Sequence, residues 1–153
     1  MSTGGEAGGG TVVDRVAEEI RSVTGAARSA VVFGEDGNEA IHFVAAAGAG
    51  SERLIGARGP AEGSGLCGNV LAGSCSILSV NTIGDPRIHQ GHAVEGGITT
   101  AIGVPVLHDG RAFAVLMALN RADGGRFTEA QEADLARYAE TVADELWGAV
   151  PGS

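Results

Sequence analysis

The chain contains no lysine: its ten basic residues are all arginine, set against nineteen Asp and Glu for a formal net charge of −9. Without lysine there is no Schiff-base amine and no P-loop cation. The acidic balance argues against nucleic acid as a partner, because neutralising phosphates takes a basic face. Aromatics are only 4% of residues, so the core has to be built from Ala, Val, Leu and Ile. The two cysteines, Cys67 and Cys75, have no paired histidines beside them and fall short of a tetrahedral zinc site. Gly63-Ser64-Gly65 reads as a cap and turn, and no G-x-S-x-G nucleophile elbow occurs. No window approaches the roughly 18 apolar residues of a membrane span. The opening MSTGGEAGGG lacks the basic and apolar stretches of a secretory signal, so a cytoplasmic chain with reduced thiols is expected.

What is present describes one packed domain. At 153 residues, 44% hydrophobic and 19% charged, the chain is long enough for a core and too apolar for disorder. A single domain over 11–149 is expected, between a disordered Gly-rich tail at 1–10 and a short tail at 150–153. Val12, Val13, Val16, Ile20 and Val23 share one helical face that Gly25 ends. Strands are predicted over 29–33 and 41–47 around Asp36-Gly37-Asn38, and over 99–107 and 111–119 around Asp109-Gly110. Between them the pattern predicts a connection at 48–63, a short helix at 65–71 capped by Ser64, a strand at 76–80 and an irregular loop at 82–97. Thr128 and Gln131 form a capping box ahead of the stripe Leu135, Tyr138, Val142 and Leu146. This order predicts an α+β layer fold with an antiparallel sheet.

Four local motifs in this order resemble the GAF domain family from about Val12 to Trp147. They are Gly63-Ser64-Gly65-Leu66-Cys67-Gly68, Asp85-Pro86-Arg87, Gly103-Val104-Pro105-Val106, and the strand-to-helix run from Ala101 to Glu132. The resemblance implies a central antiparallel sheet with the terminal helices on one face. On the other face it implies a ligand pocket under loops and the short helix. It also implies a small-molecule sensor that signals through a partner protein or as a homodimer. The last helix would cover the sheet with its stripe and leave an edge, with Tyr138 and Trp147, for pairing.

Within that resemblance the site residues discriminate between subclasses. Cyclic-nucleotide members carry Asn-Lys, Phe and Asp-Glu where this chain has Asn120-Arg121, Phe127 and Gln131-Glu132. Gln131 supplies no carboxylate, so Asn120 and Phe127 are read as shaping the turn. Free methionine-(R)-sulfoxide reductases resemble the chain at Gly91-His92, but Glu95 stands where their attacking cysteine belongs. Ala101, Met117 and Leu119 stand where they place acids. Enzymatic activity is therefore not the expectation. Its alternative form is a thiol-dependent redox enzyme or switch using Cys67 and Cys75, with Cys67 made a thiolate by the helix dipole. A second alternative is a haem sensor with His89 or His92 as axial ligand, although Glu95 occupies the best-matching position. Neither cysteine matches a bilin attachment, and His42 and His108 belong to no constellation.

The preferred reading is a pocket for a small molecule or small anion with no cofactor and no metal. Its expected lining is Leu66, Cys67, Gly68, His92, Glu95, Ala101, Val104, Met117 and Leu119. The start of the short helix offers N–H groups to an anion or carboxylate, and Arg53 or Arg87 are candidates to add charge.

Overall fold

A computed structural model describes residues 7–151 of the chain. Of the tails expected at the two ends, residues 1–6, 152 and 153 lie outside the described residues, and Ala7–Gly10 begin the first helix. The elements in order are α1 (Ala7–Thr24), β1 (Ala26–Glu35), β2 (Ala40–Ala47), a single 3-10 turn (Ser51–Leu54), β3 (Arg58–Pro60) and α2 (Leu66–Gly73). They continue with β4 (Ile77–Ser79), α3 (Gln90–Gly96), β5 (Ala101–His108), β6 (Arg111–Arg121) and α4 (Glu129–Ala149). The strands form one antiparallel sheet in the order β3-β2-β1-β6-β5-β4, so its two edges are three-residue strands.

Turn chemistry sets the register. Asp109 and Gly110 both have positive φ (53° and 79°), the twist that a two-residue hairpin needs. Side chains alternate across the sheet from there. On β6, Ala114, Leu116 and Ala118 face α1 and α4, while Val115, Met117 and Leu119 face the opposite way. On β5, Ile102 and Val104 face the helices and Ala101 faces away.

The helical face is a closed core. Val13, Val16 and Ile20 of α1 meet Leu135, Val142 and Leu146 of α4 over the sheet, all buried. Gln131 completes the capping box with Thr128 and donates from Nε2 to the Thr24 carbonyl at 2.9 Å, tying the start of α4 to the end of α1. The buried Ser29 hydroxyl is satisfied by the Ala17 carbonyl at 2.6 Å. Trp147 stacks on His108 with centroids 4.1 Å apart and meets Phe113 edge-on at 5.1 Å. The Tyr138 hydroxyl bonds Glu19 on α1. Both aromatic residues expected at a pairing edge are thus engaged within the chain, and His108, read as belonging to no constellation, is part of this cluster.

Two stretches carry more structure than their sequence suggested. Residues 48–63 contain the 3-10 turn and the edge strand β3, and 82–97 contain α3. Among the described residues, no helix is long and apolar enough to cross a membrane.

Candidate functional site

The face of the sheet away from α1 and α4 is covered by short pieces: α2, α3, the 3-10 turn and their connections. These pieces leave a cavity of about 450 Å³ between themselves and the strands. Ala101, Met117 and Leu119 form its floor with Ile41 and Phe43 of β2, and Leu66 and Cys67 stand on the α2 side. His92 and Glu95 reach it from α3. Seven of the nine residues expected to line a pocket are therefore brought together, counting Leu66, Cys67, His92, Glu95, Ala101, Met117 and Leu119 against the nine named above.

Val104 and Gly68 are not. Val104 lies three positions from Ala101 on a strand whose faces alternate every residue, so it belongs to the helix-side core. Gly68 packs its backbone on the turn before α2; a Cβ there would fall 2.0 Å from the Ala61 carbonyl oxygen. Ser64 does not cap α2 either. Its hydroxyl donates to the Ala61 carbonyl at 2.7 Å, and the N-cap is Gly65, at φ 83° and ψ −126°. A side chain at Gly65 would strike the His89 backbone nitrogen at 2.5 Å, so glycine lets the lid segment close over the start of α2.

The lid, residues 82–97, is pinned by polar contacts. Asp85 accepts from Arg87 Nη2 at 2.7 Å and from the Ser79 hydroxyl at 2.7 Å. The Arg87 guanidinium, with Ser79, holds the Asp85 carboxyl well below the usual carboxylate range. Gln90 Nε2 donates to the carbonyls of Thr82 and Asp85, and Asn69 of α2 donates to the Arg87 carbonyl. Arg87 is thus a structural partner of the lid rather than a charge in the cavity, whereas Arg53 does line it. At the far end Asn120, in the left-handed region at φ 61°, accepts from the Thr99 amide at 2.8 Å and donates to the Gly97 carbonyl at 2.9 Å. Phe127 is buried in the helix-side core. Both therefore occupy the turn-shaping positions expected of them.

The cysteines behave differently from the redox alternative. Cys67 is buried, and its thiol donates to Met117 Sδ at 3.2 Å. Burial pushes that thiol up to about 12, so desolvation outweighs the helix dipole that was expected to make a thiolate. Cys75 is exposed and lines a separate groove between α4 and β5. Both are free thiols, opening on different cavities. The haem alternative needs an imidazole presented nitrogen-first into the cavity. His89 and His92 instead stack face to face at 3.8 Å, and His89 Nδ1 accepts the His92 amide. Among the described residues, no group of three His, Cys, Asp or Glu is placed to hold a metal ion.

Arg28, Ile41 and Phe43 also line the cavity, unexpected from the sequence: Arg28 precedes the strand expected over 29–33, and Ile41 and Phe43 lie on an expected strand that carries no site motif. Arg28 had a legible signal: it shares strand parity with Ala30 and Val32, the cavity face of β1.

A GAF domain model matches residues 10–146. The chain belongs to the GAF domain family. No curated protein matches it. Among solved structures, the GAF domain of an Acinetobacter phosphoenolpyruvate-protein phosphotransferase is similar with a TM-score of 0.76 at 17% identity, covering 92% of this chain and 83% of that one. A free methionine-R-sulfoxide reductase from Neisseria meningitidis, solved with its substrate, is similar at 0.74 and 18% identity, over 94% and 81%. The GAF-B domain of DevS from Mycobacterium smegmatis is similar at 0.72 and 20% identity, over 91% and 93%. At these identities the likeness is one of fold. GAF domains typically have sensory or regulatory roles in signalling proteins, and the GAF fold here presents a cavity where the sheet meets its loops.

Proposed function

We propose that this GAF domain is a non-catalytic sensor of a small molecule, passing its signal to a partner protein or a second copy of the chain. The observation that carries the reading is the cavity. It is about 450 Å³, within the size range of ligand sites, with an apolar floor on rigid strands and a few polar groups at its rim. A fold on which binding and catalysis both occur does not choose between them, so the choice rests on the side chains. Cys67 is held as a neutral thiol against Met117, a poor start for nucleophilic attack, and Glu95 offers no sulfur chemistry. Two free thiols also fit a reducing, cytoplasmic setting.

Native mass spectrometry of the freshly purified full chain tests binding directly, alongside Ala101→Phe, which fills the cavity from its floor. A small bound mass present in the wild type and absent from the variant is the expected result. Turnover of free methionine sulfoxide with a thiol reductant, lost in Cys67→Ser, would overturn the sensor reading in favour of the enzyme.

A further inference from the structure

The cavity carries a cation in an unexpected place. Arg28 rises from the sheet itself: on β1 it pairs with Leu119, which pairs in turn with Ala101. These three residues form a cross-strand row, so the guanidinium belongs to the same row as the apolar floor. It is half-buried, and Nη2 donates to the Gly96 carbonyl at 2.6 Å, at the last residue of α3. Among the described residues, no other acceptor and no carboxylate takes its remaining donors. Arg53, exposed on the 3-10 turn across the cavity, likewise has no carboxylate partner among them.

We propose that the cavity takes an apolar monocarboxylate, an aryl- or alkyl-alkanoate anion. Its hydrocarbon lies on Met117, Leu119 and Ala101, and its carboxylate meets Arg28. The proposal rests on the cavity being a ligand site. A guanidinium beside apolar walls, with donors to spare, is satisfied best by a planar carboxylate that accepts two parallel bonds. A bare inorganic anion would leave most of the cavity unfilled. A neutral hydrocarbon would strip water from Arg28 and return no acceptor. Glu95, exposed at the rim beside Gly96, opposes a second negative charge and so selects against dicarboxylates. Arg53 adds a longer-range attraction that draws the anion in.

Calorimetric titration of the full chain with a matched set tests the class: 3-phenylpropionate, hexanoate, 3-phenylpropionamide, phenylalanine and inorganic nitrate. The two carboxylates should bind at least about tenfold more tightly than the amide, as expected for bonds to a charged group. Phenylalanine, which adds an ammonium to 3-phenylpropionate, should bind less tightly than its parent, and nitrate should give no heat. Arg28→Gln should abolish the preference for carboxylate over amide while leaving amide affinity within about twofold. Arg53→Gln should weaken both carboxylates only about two- to threefold, and more at low salt. The comparison of carboxylate with amide needs no variant and stands even if Arg28→Gln fails to fold. Equal binding of amide and carboxylates would overturn the ligand class and leave the cavity reading intact. Tighter binding of phenylalanine would overturn it in favour of a zwitterion held by Glu95. Binding of nitrate alone would also overturn it. Absence of binding by all five at millimolar concentration would overturn the ligand class, while the cavity reading is decided separately by native mass spectrometry with Ala101→Phe.

Discussion

The two faces of the sheet are made from the same strands yet come to different ends. On one, Leu116 and Ala118 of β6 lie under α1 and α4, helices of 18 and 21 residues whose apolar stripes run the length of the strands. On the other, Met117 and Leu119 of the same strand lie under α2 and α3, of 8 and 7 residues, and under loops. Long helices match a sheet and fill the space above it; short pieces meeting at angles cannot, and their misfit is the cavity. The apolar content of the strand is similar on both sides. The length of what covers it decides which side becomes closed core and which keeps a cavity.

Truncation should separate the faces most clearly. Leu116→Ala is expected to cost about 3–5 kcal/mol, since the void it leaves is enclosed by α1, α4 and the sheet. Leu119→Ala should cost less than about 2 kcal/mol, because one side of Leu119 already faces open space. Urea denaturation of the two variants measures both, and equal costs would erase the distinction. Enlargement makes the converse comparison. Ala118→Leu should lose about 1–3 kcal/mol by overpacking, while Ala101→Leu should lose under about 1 kcal/mol as it grows into the cavity.

A smaller effect lies in alkaline pH, and on the cavity face it comes from Cys67. The thiol of Cys67 has an ordinary value of 9.0 and is pushed up to about 12 by burial. A folded value raised above the unfolded one stabilises fully below pH 9 and is lost as pH climbs towards 12. Between pH 9 and about 10.5 the wild type should therefore lose about 1–2 kcal/mol more stability than Cys67→Ala. The Tyr138 hydroxyl, also raised, by burial and by Glu19, is common to both chains and cancels.

The difference between the faces also explains what could be read in the sequence. Val13, Val16 and Ile20, and Leu135, Val142 and Leu146, repeat at helical spacing because they pack on one continuous surface; that repetition is visible without a structure. Asp109-Gly110 announced its hairpin by the backbone conformation it requires. The cavity face offers no such repetition. Gln90–Gly96 is less than two full turns of helix, and its far end is held by Asn120 and Arg28 through contacts 23 and 68 residues apart in sequence, so its residues read as a loop. Met117 and Leu119 were legible because they alternate on a long strand, and Ala101 followed from the same hairpin. Val104 does not join them because it stands three positions from Ala101, and an odd spacing on a strand puts it on the opposite face. The thiol of Cys67 differs for another reason: the helix position is local and readable, while the burial that dominates it comes from a cluster gathered from several strands, including Met117 fifty residues on.

The sheet's short borders limit how this domain can be met by others. With β3 and β4 each three residues long, and with Pro105 removing a donor from the exposed stretch of β5 beyond β4, there is little backbone for a foreign strand to join. Strand-by-strand association, including the runaway kind that builds fibrils, has almost nowhere to begin. On the proposed sensor reading, a partner that follows the state of the cavity would do so through side chains on a helix or the lid. That kind of contact can change when the lid shifts, whereas an added strand would hold the domain whether the cavity were full or empty.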